Sequence, residues 1–353
     1  MTNISVKNES AKIESVKIKS AKIKSCMIAS LAPMAGYTDS VFRRLCSKMG
    51  ASYTVSEMIS AVALTYNDRK TAELARIESD DEKCVLQIFG HDPSIMAKAA
   101  EILLSGSFNS RYYAAPPLGI DINMGCPVKK IFSSGDGSAL MANESLAAEI
   151  TERCAEVCAR HGVPLSVKIR LGTDGEHINA PHFAAAMANA GASKITLHTR
   201  TRAQMYSPSA NPSYCAAVRH ELDSTGKNVL LCGNGDIVSR ESGEEYFRCG
   251  CDEIAVGRGA LGNPWIFREL TEGDAYVPPS VEEIIETSIK LVEDIVQLKG
   301  EVAGIRESRS RAAYFIKGIR GAAAVRDELN HAESLAQFTE SLKKLTADSK
   351  RLT

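Results

Sequence analysis

From Ile28 onward, short apolar runs alternate with longer amphipathic stretches. The short runs are bounded by turn-forming residues and read as strands. They fall at Ala29–Met34, Ser52–Glu57, Cys84–Phe89, Gly119–Met124, Leu165–Arg170, Lys194–His198, Val229–Cys232 and Glu253–Val256. The stretches between them read as helices, for example Ser40–Met49, Pro93–Leu104, Asn143–His161, Pro181–Ala190 and Ser239–Cys249. Continuously apolar strands alternating with helices predict a parallel sheet covered on both faces. Eight such units predict a closed (β/α)8 TIM barrel over residues 28–272. An open doubly wound sheet is the competitor, weakened because no G-x-G-x-x-G follows the first strand.

The pattern changes after Gly273–Ser280, a linker carrying Pro278-Pro279. Residues 281–353 keep helical periodicity with no strand pattern, which predicts a C-terminal all-helical domain. If Glu301–Arg326 is a single helix, Arg306, Arg309, Lys317 and Arg320 share an arc of about 80°, roughly opposite Ala312, Phe315, Ile316, Ile319 and Ala323. An ordinary solvated basic face is the bland reading. Glu307 is the only acid between Arg306 and Arg326, against six Lys or Arg, and that favours a polyanion such as RNA. At the other end, residues 1–27 carry a Lys-rich repeat (SAKIE, SVKIK, SAKIK) that reads as a solvated arm ending in an edge strand at Lys22–Met27. Ser105–Leu118, rich in Ser and Pro, reads as a surface insertion.

Composition narrows the class. Hydrophobic residues make up 44% and charged residues 24% of 353, as in soluble globular proteins. No apolar run approaches the roughly 18 residues of a membrane span, and no signal peptide is visible, so no membrane role is expected. Ten scattered Cys without metal-ligand spacing point to a reducing, cytoplasmic setting and no metal site. A net charge of −1 confines any nucleic-acid contact to a local patch. A monomer is the expectation.

In such a barrel, chemistry gathers at the C-terminal ends of the strands. The first strand ends in Pro33-Met34-Ala35, the third carries Gln87, and the fourth carries Asn123 and leads to Cys126-Pro127. A thiol on a stiff loop after a strand can donate or accept a proton at a fixed point; the bland alternative is a small buried hydrophobe. Lys168 and Arg170 share one face of the fifth strand. A buried Lys needs an anion, which a cofactor or a structural ion pair could provide. His198 ends the sixth strand. The turns at Asn234-Gly235-Asp236 and Gly257-Arg258 expose backbone N–H groups and a guanidinium suited to phosphate; the competing reading is two tight turns that need Gly. The amides of Gln87 and Asn123 suit a ring edge with alternating C=O and N–H, such as a flavin or a pyrimidine.

Taken together, LAPMAGYTD (31–39), VSEMISA (55–61), VLQIFG (85–90), DINMGCPVKK (121–130), GSAL (137–140), VKIRLG (167–172), LHTRTR (197–202), GNGDI (233–237) and VGRGALGNPWIFREL (256–270) resemble the tRNA-dihydrouridine synthase family. The resemblance covers nearly the whole barrel in order. It implies a flavin-dependent oxidoreductase that uses FMN, with NADPH as electron donor, to reduce the C5=C6 bond of particular uridines in tRNA. Hydride would pass from FMN N5 to C6, and Cys126 would give the proton to C5. By matching position, FMN would contact Pro33, Met34, Ala35, Gln87, Lys168, His198, Asn234, Gly235, Asp236, Gly257 and Arg258. Asn123 and Arg170 would face the uracil, and Arg306, Arg309, Lys317 and Arg320 would meet tRNA phosphates. The chain departs from the family where Ser310-Arg311 replaces a Lys-His pair and Tyr314-Phe315 replaces Trp-Tyr. A free-pyrimidine oxidoreductase of the dihydroorotate dehydrogenase type and a non-catalytic tRNA-binding barrel are the rivals.

Overall fold

The computed structural model describes residues 27–350 apart from Glu82; the N-terminal repeat and its edge strand lie outside the described residues, save Met27. Nine strands form one parallel sheet: β1 (Ala29–Leu31), β2 (Thr54–Val55), β3 (Ile59–Ser60), β4 (Cys84–Phe89), β5 (Gly119–Met124), β6 (Leu165–Arg170), β7 (Lys194–His198), β8 (Leu230–Asn234) and β9 (Glu253–Val256). Pairing runs β2-β1-β9-β8-β7-β6-β5-β4, and β2 also pairs β4, so eight strands close a TIM barrel. β3 hangs on the end of β4. The expected strand Ser52–Glu57 is therefore shortened to Thr54–Val55, and β3 is a separate piece beyond it. The ladder ends at Ser56, whose N–H still donates to the Val85 carbonyl but whose Oγ accepts the Gln87 N–H, and Glu57 turns to accept the N–H of Gly36 at 2.7 Å.

Helices begin where a side chain can cap them. Asp39 accepts the Phe42 N–H at the start of Ser40–Lys48, Asn143 caps Glu144–Arg160, and Ser239 with Ser242 forms a capping box on Arg240–Arg248. Along β5 and β6 the outward residues Ile120, Ile122, Met124, Leu165, Val167 and Ile169 are buried against these helices. The inward residues are Asp121, Asn123, Ser166, Lys168 and Arg170. These two strands are thus apolar on one face only, and the lumen mixes their polar groups with small apolar clusters of Ala32, Cys232 and Ala255 and of Tyr53, Val55 and Val85. Ser105–Leu118 is more than a loop. Gly106–Tyr112 is helical, Tyr112 is buried, its ring lies 4.5 Å from that of Phe108, and Tyr113 bridges Ile77.

Four helices follow the barrel: α1 (Val281–Lys299), α2 (Glu301–Phe315), α3 (Ala322–His331) and α4 (Leu335–Lys350). Ile285, Val292, Ile305, Ile316, Leu329, Phe338 and Leu342 form their own core, whereas Leu291, Ile295 and Phe315 join the barrel core. The buried Trp265 anchors the junction. Its ring meets Phe315 edge-on at 6.1 Å, and its Nε1 donates to Glu283 at 3.0 Å. Residues 301–326 are not one helix. Helix α2 ends at Phe315, and Gly318 and Gly321, at φ of 89° and 84°, turn the chain into α3. Arg306 and Arg309 consequently sit on α2, Lys317 and Arg320 in the turn, and the common basic helix face does not exist.

Candidate active site

A cavity of about 700 Å³ opens at the C-terminal ends of the strands. Pro33, Met34 and Ala35 line it from the β1 loop, Gln87 from β4, Asn123 and Cys126 from β5 and its loop, and Lys168 and Arg170 from β6. His198, Asn234, Gly235, Asp236, Gly257 and Arg258 close the other side, and Lys317 reaches the mouth from the helical domain. Strand register does the gathering: Asn123 pairs with Lys168, Arg170 with His198, and His198 with Asn234. Arg306, Arg309 and Arg320 are not among the lining residues. Arg306 and Arg320 are exposed, while Arg309 donates to the Ala332 carbonyl at 3.0 Å and ties α2 to the segment after α3.

The loop that carries Cys126 is stapled at every backbone position around the thiol. Asn123 Oδ1 accepts the Cys126 N–H at 2.9 Å and that of Gly125 at 3.2 Å. Ser138 Oγ donates to the Cys126 carbonyl at 2.7 Å, and Arg170 Nε donates to the Gly125 carbonyl at 2.8 Å. A Cβ on Gly137 would lie 3.0 Å from that of Cys126 at a φ of 60°, so a side chain there would crowd the loop and strain the backbone. Burial pushes the thiol up; the Val128 N–H and the charges of Arg170 and Lys168 only partly oppose this. Cys126 is therefore a thiol, not a thiolate, at neutral pH.

Lys168 has no ion pair or hydrogen bond within the chain among the described residues. Burial first, and Arg170 second, push it down to about 8, with Asp121 acting the other way. Burial and the four cations Lys168, Arg170, Arg200 and Arg258 hold His198 well below its usual range, and it is neutral. Asn123 and Arg170, expected to face a uracil, are largely engaged by the protein. Asn123 Nδ2 donates to Gln87 Oε1 at 2.9 Å and otherwise meets Met58 Sδ at 4.0 Å. Arg170 Nη1 donates to the carbonyls of Thr201 and Met205.

The two glycine turns differ in cause. A Cβ on Gly235, at a φ of 129°, would meet that of Ala210 at 2.7 Å, and one on Gly259 the Ile237 carbonyl oxygen at 2.1 Å, so protein packing explains both. Gly257 would meet nothing closer than Met34 Sδ at 3.8 Å. Its bare backbone faces the cavity, which is where a ligand would need it. Asp236 accepts from Arg200, from Arg258 at 2.9 Å and from the Ala210 N–H at 3.0 Å. It aims Arg258 rather than presenting a free carboxylate.

Several residues of the site carried no role in the sequence reading, among them Ser138, which braces the Cys126 loop without lining the cavity. Ser138 lies inside GSAL, where a hydroxyl beside a small-residue turn was the available signal. Arg200 and Tyr206 follow β7; Arg258 lies 4.4 Å over the Tyr206 ring. Tyr37 and Tyr314 meet edge-on at 6.1 Å at the mouth. Aromatic residues on a barrel loop and on a helix far along the chain give no sequence signal of a shared cavity.

Comparisons with known proteins agree along the chain. The family model described as dihydrouridine synthase matches residues 30–350. A probable tRNA-dihydrouridine synthase of Rickettsia conorii is 33% identical over 326 residues, covering 88% of this chain and 93% of that protein. The tRNA-dihydrouridine synthase B of Pseudomonas aeruginosa is 32% identical over 323 residues, covering 90% and 92%. Among solved structures, DHODH in complex with ferulenol from Eimeria tenella is similar at 11% identity and a TM-score of 0.48, covering 74% of this chain and 81% of that one.

Proposed function

The chain belongs to the dihydrouridine synthase family, and from that premise we propose that it reduces the C5=C6 bond of uridines in tRNA, with FMN as hydride carrier and NADPH as electron source. The observation that carries the reading is one cavity holding both a protonated thiol on a stapled loop and a half-buried lysine that makes no hydrogen bond or ion pair among the described residues. The residues fit FMN. Lys168 and the neutral His198 offer donors to the edge of a ring, Pro33, Met34 and Ala35 offer a wall, and Gly257 with Arg258 offers backbone and guanidinium donors to a phosphate.

When bound and reduced by NADPH, FMN supplies the hydride that uracil C6 receives. Cys126 acts as general acid and delivers its proton to C5. Its raised pKa keeps the proton in place until the carbon needs it, unlike a nucleophilic cysteine. Lys168 sets a fixed cation against negative charge that develops at the reacting rings. Asn123 keeps a second Nδ2 hydrogen, faced only by Met58, for a uracil carbonyl. Arg170 acts on the uracil through the loop whose carbonyls it holds. A base can reach this depth only by leaving the tRNA stack; Tyr37, Tyr206 and Tyr314 at the mouth give it and its neighbours surfaces to stack on. Lys317 at the rim, with Arg306 and Arg320 beyond it, would meet phosphates, while Arg309 contributes less because Ala332 occupies it. The reading takes the protein as monomeric and cytoplasmic.

The test is anaerobic. Protein reduced by NADPH is mixed with tRNA lacking dihydrouridine, and the visible flavin band is followed. Return of the band with tRNA, no return with free uracil, and no bleaching of oxidised protein by dihydroorotate support the reading. Turnover of the free pyrimidines without tRNA would replace it with the free-pyrimidine oxidoreductase; a colourless protein would favour a non-catalytic binder.

A further inference from the structure

One buried carboxylate has no part in the chemistry above. Asp121, two residues before Asn123 on β5, is 3% exposed and makes no ion pair among the described residues. It accepts from Gln87 Nε2 at 2.7 Å and from Ser166 Oγ. Gln87 Oε1 accepts from Asn123 Nδ2 at 2.9 Å, and Asn123 Oδ1 accepts the Cys126 N–H at 2.9 Å. Strand register sets Gln87 beside Asp121, and the pleat sets Asp121 and Asn123 on one inward face. The result is a continuous chain of hydrogen bonds from the lumen to the backbone of Cys126.

A primary amide has no intrinsic direction, since either end can face a neighbour. A carboxylate only accepts. With Asp121 at the base, the nitrogen of Gln87 must face it, so the oxygen of Gln87 faces Asn123. The nitrogen of Asn123 then faces Gln87, and its oxygen faces the Cys126 loop. Turning over either amide would set oxygen against oxygen or N–H against N–H at both of its junctions. Both ends of the chain are one-way: the backbone N–H groups of Cys126 and Gly125 only donate, the Asp121 carboxylate only accepts, and the two amides between them have one orientation that satisfies both ends.

We propose that Asp121 is a positioning residue that anchors the lumen end of this chain, as the acceptor on which Gln87 rests, and thereby holds the Cys126 loop in the geometry for proton delivery. The inference rests on Cys126 as the proton donor. A simpler role for Asp121 is countercharge to Lys168 across the lumen. The two roles make different demands: a countercharge must be charged, whereas an anchor need only accept from Gln87. Asp121→Asn meets the second demand alone. Its oxygen can face Gln87 while its nitrogen donates to Ser166 Oγ, whose own hydrogen turns to the Ile120 carbonyl 3.5 Å away. Asp121→Leu meets neither.

The experiment compares FMN-loaded wild type, Asp121→Asn and Asp121→Leu by two readouts. One is the rate at which iodoacetamide labels Cys126, resolved by peptide mass spectrometry. The other is the rate of flavin reoxidation by tRNA after reduction by NADPH. Asp121→Leu should label Cys126 about fivefold faster, because a loosened loop exposes the thiol. It should also reoxidise about tenfold more slowly with an unchanged KM for tRNA, because the acid is misplaced. Asp121→Asn should match wild type in both. If Asp121→Leu does not fold, Gln87→Met cuts the chain one link later and carries the same labelling prediction. Wild-type labelling in the chain-cutting variant, or equal changes in Asp121→Asn and Asp121→Leu, would overturn the proposal. If wild-type protein is not reoxidised by tRNA, the reading of the reaction fails, and the labelling rates still decide the role of Asp121.

Discussion

Cys126 and Lys168 line the same cavity and are shifted in opposite directions by one cause. Burial disfavours charge, so it raises a thiol and lowers an ammonium. The lysine gives a measurable consequence. In the free protein Lys168 sheds its proton as pH rises through about 8, whereas an unfolded lysine holds its proton to about 10.4. Between those values the unfolded chain carries more protons, so this residue makes the fold more stable as pH rises. A ring acceptor against Nζ raises the lysine again, so FMN binding in that window should take up a fraction of a proton. Calorimetry in buffers of different ionisation enthalpy reads the uptake, and Lys168→Met should abolish it; uptake that persists in the variant would move it to another group. At this scale the sequence was informative about residue type and place, because thiol, lysine and amides at strand ends are visible in a string of letters. It was poor on partners. Nothing local to Arg170 reveals that it reaches the carbonyls of Gly125, Thr201 and Met205, since those contacts exist only after the loops close.

At the scale of elements, the barrel strands were legible because their outward faces are apolar and helices intervene regularly. The break after α2 was missed because apolar spacing runs on through Ile316, Ile319 and Ala323, and the overriding signal was two glycines three residues apart. The docking of α2 on the barrel was equally hidden. Arg311, buried among Gly36, Asp39 and Glu307, donates to the Gly36 carbonyl at 3.0 Å and to Asp39 at 2.8 Å, and Lys299 reaches Asp39 at 2.9 Å. Burial pushes the Asp39 carboxyl up, but Arg311 and Lys299 outweigh it and hold it below its usual range. Arg311→Ala removes the central cation and should cost about 3 kcal/mol, read as a lower denaturant midpoint. An unchanged midpoint would mean that the helical domain does not depend on this cluster.

For the whole molecule, a net charge of −1 leaves binding of a polyanion to local cations and to shape. Lys317 and Tyr314 from the helical domain share the cavity mouth with Tyr37 and Tyr206 of the barrel, a convergence that no local pattern encodes. Binding of tRNA should weaken with salt, and Arg306→Ala and Arg320→Ala should each lower the slope of log affinity against log salt by about one. Reduction by NADPH should not change in those variants; an unaltered salt slope would remove these arginines from the tRNA surface. The most direct measurement is mass analysis of an unmodified tRNA transcript after incubation with FMN-loaded protein and NADPH, wild type beside Cys126→Ala. A uridine that gains two hydrogens with wild type, and at least about 100-fold less product with a variant that still holds FMN and tRNA, is the expected result. No product from wild type, or undiminished product from Cys126→Ala, would contradict a uridine reductase that uses this thiol as its acid.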